Sequence, residues 1–133
     1  ILFNIHGPGG ILCTIGGIAC WVVFWLSQRL GFSEILSYFW ASLFASLYSE
    51  IMARIRKYPA ISYLLVSAFP LIPGAGVYYT MNFAVRGEMD MFAYRGMNTA
   101  AIAGIMAVGI LLGATVFRMY AQWKSRRMQK TKT

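Results

Sequence analysis

The residues that could most readily form a functional site lie in one run of prolines, glycines and hydroxyl-bearing side chains. It covers residues 69–80 and reads Phe-Pro-Leu-Ile-Pro-Gly-Ala-Gly-Val-Tyr-Tyr-Thr. Pro70 and Pro73 each remove a backbone donor and clash with the preceding helical turn. Gly74 and Gly76 add backbone freedom and bring no side chain. The run therefore predicts a helix that unwinds for several residues.

An unwound stretch within a membrane would free backbone carbonyl and N–H groups, which cannot face lipid. Such groups are buried in protein or line a water-filled cavity. Broken helices often form transporter binding sites, because the ends of the two half-helices direct their dipoles at a solute. Tyr78, Tyr79 and Thr80 would supply hydroxyl groups just after the break. The alternative is a structural kink, but two prolines and two glycines exceed what a kink requires. We therefore expect a solute site here.

Glu50 is the one carboxylate that falls inside an apolar segment, near the end of that segment. Arg54 follows four residues later, the favoured orientation for a helical ion pair. Two interpretations stay open: an interface ion pair that contributes little, or a proton-coupling or amine-binding carboxylate, since acids within membrane segments tend to be functional. Asn98 and Thr99 could bind solute or join helices, and we count Asn98 among the candidate pathway residues.

Catalytic and metal-binding patterns are missing from the sequence. His6 is the one histidine, and Cys13 and Cys20 have no ligand cluster around them. The glycine-rich loop at residues 7–10 lacks the Lys-Ser/Thr pair of a phosphate-binding loop, and neither GxSxG nor HExxH occurs. The sequence predicts no enzyme, no catalytic residue, no metal and no cofactor.

The composition is that of a membrane protein. Of 133 residues, 59% are hydrophobic and 12% are charged, about half the charged share of a soluble domain. Most of the surface must therefore face something other than water. A net charge of +8 would suggest nucleic acid in a soluble chain. Here the basic residues lie at the ends of apolar runs, so we expect contacts with membrane lipid and none with nucleic acid.

Four apolar segments must position these residues, and each is long enough for a hydrocarbon core that takes about 20 helical residues. They cover about residues 10–30, 35–54, 60–85 and 91–123, and residues 124–133 form a basic tail. Ser33 is the expected N-cap of the second segment. We predict an all-α, polytopic transmembrane bundle, a single membrane domain over residues 1–133, with its third span broken by Pro and Gly. Residues 1–3 resemble the end of a further span, so we expect a fifth, N-terminal span.

The distribution of basic residues predicts the orientation. One side carries the chain start, the loop after the second segment and the C-terminus. Its nine basic residues are Arg54, Arg56, Lys57, Arg118, Lys124, Arg126, Arg127, Lys130 and Lys132. The other side carries three, Arg29, Arg86 and Arg95. The first side is therefore expected in the cytoplasm. If the third segment were re-entrant, the two sides would carry five and seven basic residues, which is almost no bias. We therefore expect the third segment to cross the membrane.

Small residues mark where helices could pack. One stripe on the second segment consists of Ser42, Ser46, Ser49 and Ala53. Gly109 and Gly113 form a GxxxG pair on the fourth segment. The serine stripe could pack against another helix or line a polar path, and we favour packing because small-residue seams are common between membrane helices.

The chain resembles the threonine/serine exporter family in the small-subunit form, the C-terminal half of the split bacterial exporter. The matching residues are 31–36 (Gly-Phe-Ser-Glu-Ile-Leu), 49–54 (Ser-Glu-Ile-Met-Ala-Arg), Pro59, 69–80, 101–104 (Ala-Ile-Ala-Gly) and 109–110 (Gly-Ile). The similarity covers nearly the whole chain, and the run at 69–80 is its most specific part. Family members begin with one more helix that ends in a Phe-Asn-Ile/Val turn, which residues 3–5 match.

The resemblance implies a secondary transporter subunit in the bacterial inner membrane that exports threonine and serine by proton antiport. It also implies a larger partner subunit and a homo- or hetero-oligomer. Some split relatives export a dicarboxylate such as succinate, and a non-transporting structural subunit or a passive channel are further alternatives. In our hypothesis Glu50 couples protons, and the solute pathway comprises Pro70, Pro73, Gly74, Gly76, Tyr78, Tyr79, Thr80 and Asn98.

Overall fold

The computed structural model describes residues 8–130, with side chains over residues 9–127, and this part of the chain is helical without strands. The helices are α1 (Pro8–Arg29), α2 (Glu34–Arg56), α3 (Ala60–Ala68), α4 (Gly74–Val85) and α5 (Met89–Lys130), with a 3-10 turn at Phe69–Leu71. The all-α prediction is confirmed. The expectations for residues 1–3, for His6 and for the last three residues of the tail lie outside the described residues.

Two helices are long and apolar enough to cross a membrane, over Gly9–Arg29 and Met89–Arg127. Ala60–Leu71 and Gly74–Val85 pass the same criterion together, as a pair bent by 56°. α2 has 23 residues but does not pass, because four buried serines and Glu50 lower its apolar content. The four predicted segments thus yield two clear candidate spans in the described chain, or three if the bent pair is one span.

α2 is the central helix and packs against α1, α3 and α5. Ser33 is its N-cap, as expected, and the Ser33 hydroxyl accepts a hydrogen bond from the Leu36 N–H at 3.4 Å. The helix ends at Arg56, and the next residue, Lys57, is its C-cap with a left-handed φ of 57°. Seven buried apolar side chains around α2 form one cluster: Cys20, Phe24, Ala41, Ala45, Leu71, Ile102 and Met106. The 3-10 turn therefore enters the core of the bundle through Leu71.

α2 and α5 approach closely at two glycines. A Cβ atom added to Gly109 would lie 3.0 Å from the Phe39 carbonyl oxygen, which belongs to the α2 backbone. A Cβ atom added to Gly113 would lie 2.7 Å from the Ser46 Cβ atom. Only glycine fits at these two positions, so the predicted GxxxG pair forms the contact surface of α5 on α2.

The serine stripe of α2 faces this contact. Ser42, Ser46 and Ser49 are buried, and the Ser46 hydroxyl donates to the Ile110 carbonyl oxygen of α5 at 2.8 Å. The hydroxyls of Ser42 and Ser49 donate to carbonyl oxygens of their own helix, which satisfies them without water. The stripe therefore packs against a helix and does not line a polar path.

The contacts also give the relative directions of the helices. Ser42 lies against Gly109, Ser46 against Gly113 and Glu50 against Arg118, so α2 and α5 run in the same direction. α1 runs the opposite way, because the Tyr48 hydroxyl donates to the Leu12 carbonyl oxygen at 2.6 Å while the Phe24 and Tyr38 rings meet at the other end. We call the two ends of the bundle the Glu50 end and the Glu34 end.

α4 is the least embedded helix. It packs against α5 alone, and none of its residues is buried. Gly76 lies against Thr99 and Thr80 lies against Gly96, so α4 and the first turns of α5 form an antiparallel hairpin. This hairpin lies toward the Glu34 end and leaves one face of α4 without contacts from the described chain.

Candidate functional site

The third helical segment breaks within the proline and glycine run. α3 ends at Ala68, the 3-10 turn covers Phe69–Leu71, and α4 begins at Gly74. Only Ile72 and Pro73 lie outside a helix, and the Ile72 N–H still donates to the Phe69 carbonyl oxygen at 3.2 Å. The break is thus shorter than the predicted stretch of several unwound residues. The 3-10 turn keeps part of the chain helical, while the helix direction changes by 56° across the break.

A cavity of about 310 Å³ lies beside this break. Its wall includes side chains from α1, α2, α4 and α5, and the volume suits a small solute because ligand pockets begin at about 300 Å³. The lining residues are Trp21, Glu34, Tyr38, Pro70, Ile72, Pro73, Gly74, Ala75, Gly76, Tyr79, Arg95, Asn98, Thr99 and Ile102. The fold therefore brings the break together with aromatic rings and with two charges of opposite sign.

Six of the predicted pathway residues line this cavity, namely Pro70, Pro73, Gly74, Gly76, Tyr79 and Asn98. Two do not. Tyr78 lies outside the lining and is 66% exposed. The Thr80 hydroxyl donates to the Gly76 carbonyl oxygen at 2.7 Å, one helical turn back, and is also outside the lining. The role of each residue in binding solute stays a prediction.

Sequence reasoning missed two charged residues of the cavity. The sequence assigns no role to Glu34 beyond its place in the run 31–36, and it marks Arg95 only as a charge on one side of the membrane. Both line the cavity, and the carbonyl oxygen of Arg95 accepts a hydrogen bond from the Thr99 hydroxyl at 2.8 Å. Their positions in the sequence could have indicated this, because Glu34 and Arg95 each lie at the Glu34 end of a helical segment, and α4 runs toward the same end.

Glu50 lies at the opposite end of the bundle. Its side chain is 14% exposed, and a carboxylate oxygen lies 3.8 Å from Nε of Arg118 on α5. The expected partner, Arg54, instead stacks on the Phe117 ring with its guanidinium carbon 4.9 Å from the ring centroid. The parallel packing of α5 brings Arg118 beside Glu50, so a contact between helices replaces the predicted contact within α2.

Glu34 and Glu50 are sixteen residues apart on α2, which corresponds to about 24 Å along the helix axis at 1.5 Å per residue. The cavity and the Glu50–Arg118 pair are therefore separate sites. Among the described residues, none that lines the cavity belongs to the Glu50–Arg118 pair. Any coupling between the two sites therefore passes through the helices that contribute to both, α2 and α5.

The two glycines at the start of α4 are expected to respond differently to alanine. A Cβ atom on Gly76 would lie 2.6 Å from the Thr99 hydroxyl oxygen and 3.2 Å from its methyl group, whereas one on Gly74 meets nothing within 4 Å. We expect Gly76→Ala to weaken solute binding about fivefold, since overpacking by about 1 kcal/mol would move α4 from α5. Gly74→Ala should change it less than about twofold. Equal effects on threonine affinity in transport assays would contradict this assignment.

A sequence model of the family described as "Threonine/Serine exporter, ThrE" matches residues 1–116. The match includes the helix break, the residues that line the cavity, and Glu50. No curated protein and no solved structure matches the chain significantly. Exporters move solutes across membranes and are not a class of enzyme. Because the matched range covers most of the 133 residues, the chain belongs to the threonine/serine exporter family.

Proposed function

We propose that this protein is a component of a secondary transporter that exports threonine and serine across the bacterial inner membrane. The observation that carries this proposal is the cavity at the broken helix, which combines polar, aromatic and charged walls in a member of an exporter family. Half-helix ends and freed backbone groups at such breaks are suited to binding small charged solutes.

We propose four crossings in this part of the chain: α1, α2, the bent α3–α4 pair, and α5. The common direction of α2 and α5 supports this topology. A re-entrant α3–α4 would return the chain to the Glu50 end, and α5 would then run opposite to α2. The excess of basic residues at the Glu50 end supports a cytoplasmic location for that end and for the C-terminus.

We propose that export is coupled to protons by antiport and that Glu50 carries the proton. Its largely buried carboxylate is held by Arg118, which is 72% exposed. Because the Arg118 guanidinium can move into solvent, the Glu50 carboxylate can lose this partner and bind a proton instead. The interface ion pair without a transport role is the competing interpretation, because exposed partners contribute little to stability.

A larger exporter subunit is the proposed partner. The exposed side chains on α4 include Val77, Tyr78, Met81 and Val85, and this helix contacts only α5 within the described chain. A subunit that covers α4 would complete the wall beside the cavity. In that assembly the oligomer is the transporting unit, and this chain supplies one part of the pathway.

Efflux measurements test the proposal. Threonine, serine and succinate efflux would be measured from cells that express the full-length protein, alone and together with its larger subunit. Threonine or serine efflux that requires both proteins and falls when the proton gradient collapses would support the proposal. Succinate efflux alone would make this a dicarboxylate exporter, and no efflux from an intact complex would indicate a structural subunit. Solute flux that does not change when the proton gradient collapses would indicate a passive channel.

A further inference from the structure

Two opposite charges line the cavity from different helices. Glu34 is in the first turn of α2, and Arg95 is on α5, which also contributes Asn98 and Thr99 to the wall. Within the described chain Glu34 and Arg95 form no ion pair, either with each other or with another residue, at the 4.0 Å limit that defines one. The two charges therefore face the same space without neutralising each other.

We propose that Glu34 and Arg95 determine specificity by binding the two ends of a zwitterion, Glu34 the ammonium group and Arg95 the carboxylate. This inference rests on the proposed export of amino acids and adds the residues that would select them. The guanidinium of arginine presents paired donors that match a carboxylate. The Glu34 carboxylate accepts hydrogen bonds from an ammonium group, which has three donors.

The same pair discriminates against dicarboxylates. A solute such as succinate would place its second carboxylate toward Glu34, where two like charges repel. Glu34 and Arg95 line the same cavity, so a second carboxylate bound beside Arg95 would lie in the space that Glu34 faces. A zwitterion satisfies both charges, which favours an α-amino acid over a dicarboxylate at this site.

A simpler role for Glu34 would be stabilisation of α2 through the helix dipole, as for any acid in a first turn. That role requires neither a cavity nor a cation across it. It also predicts that loss of the carboxylate affects all solutes equally. Comparison of solutes that differ by one charged group therefore separates helix stabilisation from recognition.

The experiment compares three solutes in the intact exporter: threonine, 3-hydroxybutyrate, which lacks the ammonium group, and threoninol, which lacks the carboxylate. Each would be tested as a competitor of threonine export. We expect Glu34→Gln to weaken threonine about tenfold and to leave 3-hydroxybutyrate unchanged, since a hydrogen bond to a charged group contributes at least that factor. Arg95→Gln should weaken threonine similarly and leave threoninol unchanged. Glu34→Asp keeps the charge and should restore most of the affinity.

Matched controls come from the same end of the protein. Arg86 and Glu88 lie between α4 and α5, are exposed and do not line the cavity. Arg86→Gln and Glu88→Gln should leave the affinity for all three solutes unchanged. If Glu34→Gln weakens threonine and 3-hydroxybutyrate alike, or if neither cavity variant changes affinity, the recognition pair is wrong although threonine export stands. If the unmodified exporter does not transport threonine at all, the proposed function itself fails, and this inference fails with it.

Discussion

Replacement of both Gly109 and Gly113 by alanine is expected to separate α5 from α2 and to remove most of the folded protein from the membrane. The two added methyl groups would meet the Phe39 carbonyl oxygen at 3.0 Å and the Ser46 Cβ atom at 2.7 Å. Neither neighbour is the free end of a flexible side chain, so the helices must move apart. Overpacking costs about 1–3 kcal/mol at each site, a large part of a stability of about 5–15 kcal/mol.

The separation would also break the hydrogen bond from the Ser46 hydroxyl to the Ile110 carbonyl oxygen. The measurement is the amount of detergent-stable protein and its midpoint of thermal unfolding. Gly104→Ala on the same helix is the matched control, because a Cβ atom there meets nothing within 4 Å and alanine has the better helix propensity. A double variant as stable as Gly104→Ala would show that the close contact is not needed for folding.

Glu50→Gln is expected to abolish the dependence of export on the proton gradient while the protein still folds. Glutamine keeps the shape of the side chain but cannot take up and release a proton in the physiological range. Arg118 is 72% exposed, so its charge stays hydrated when the carboxylate is lost and the effect on stability is small. For exchange of one proton per solute, a pH difference of one unit supports about a tenfold solute ratio. Glu50→Gln should lose this tenfold increase in the threonine ratio.

The measurement is the steady-state threonine gradient in vesicles with and without an imposed pH difference. Glu50→Asp keeps an ionisable group and should keep part of the response. Glu88→Gln removes an exposed carboxylate outside both sites and should respond like the unmodified protein. Unchanged export with an unchanged pH response in Glu50→Gln would leave the Glu50–Arg118 contact as a structural ion pair only.

Local chemistry predicted the parts of the structure that depend on neighbouring residues. The break follows from Pro70 and Pro73, because a proline disrupts the turn before it wherever the helix lies. Ser33 caps α2 for a similarly local reason. The serine stripe and the two glycines of α5 were recognisable as packing surfaces from spacing alone.

The parts that depend on contacts between helices could not be predicted in this way. Glu50 pairs with Arg118 and not with Arg54, because the register between α2 and α5 decides the contact. Glu34 and Arg95 line one cavity because α2 and α5 both pass beside the bent α3–α4 pair. Tyr78 and Thr80 looked equivalent to Tyr79 in the sequence, but the rotation of α4 places only Tyr79 in the cavity wall.

The polar buried face of α2 has a consequence for how the protein is synthesised. Translation produces α2 before α5, so Ser42 and Ser46 leave the ribosome well before the glycines that cover them. In the interval α2 is a marginal candidate for insertion on its own, since it lacks the apolar content of α1 and α5. The Ser46 hydroxyl gains its partner, the Ile110 carbonyl oxygen, only when α5 is in place. We therefore expect a nascent chain that stalls before α5 to leave this polar face uncovered and to be degraded faster than a chain that includes α5.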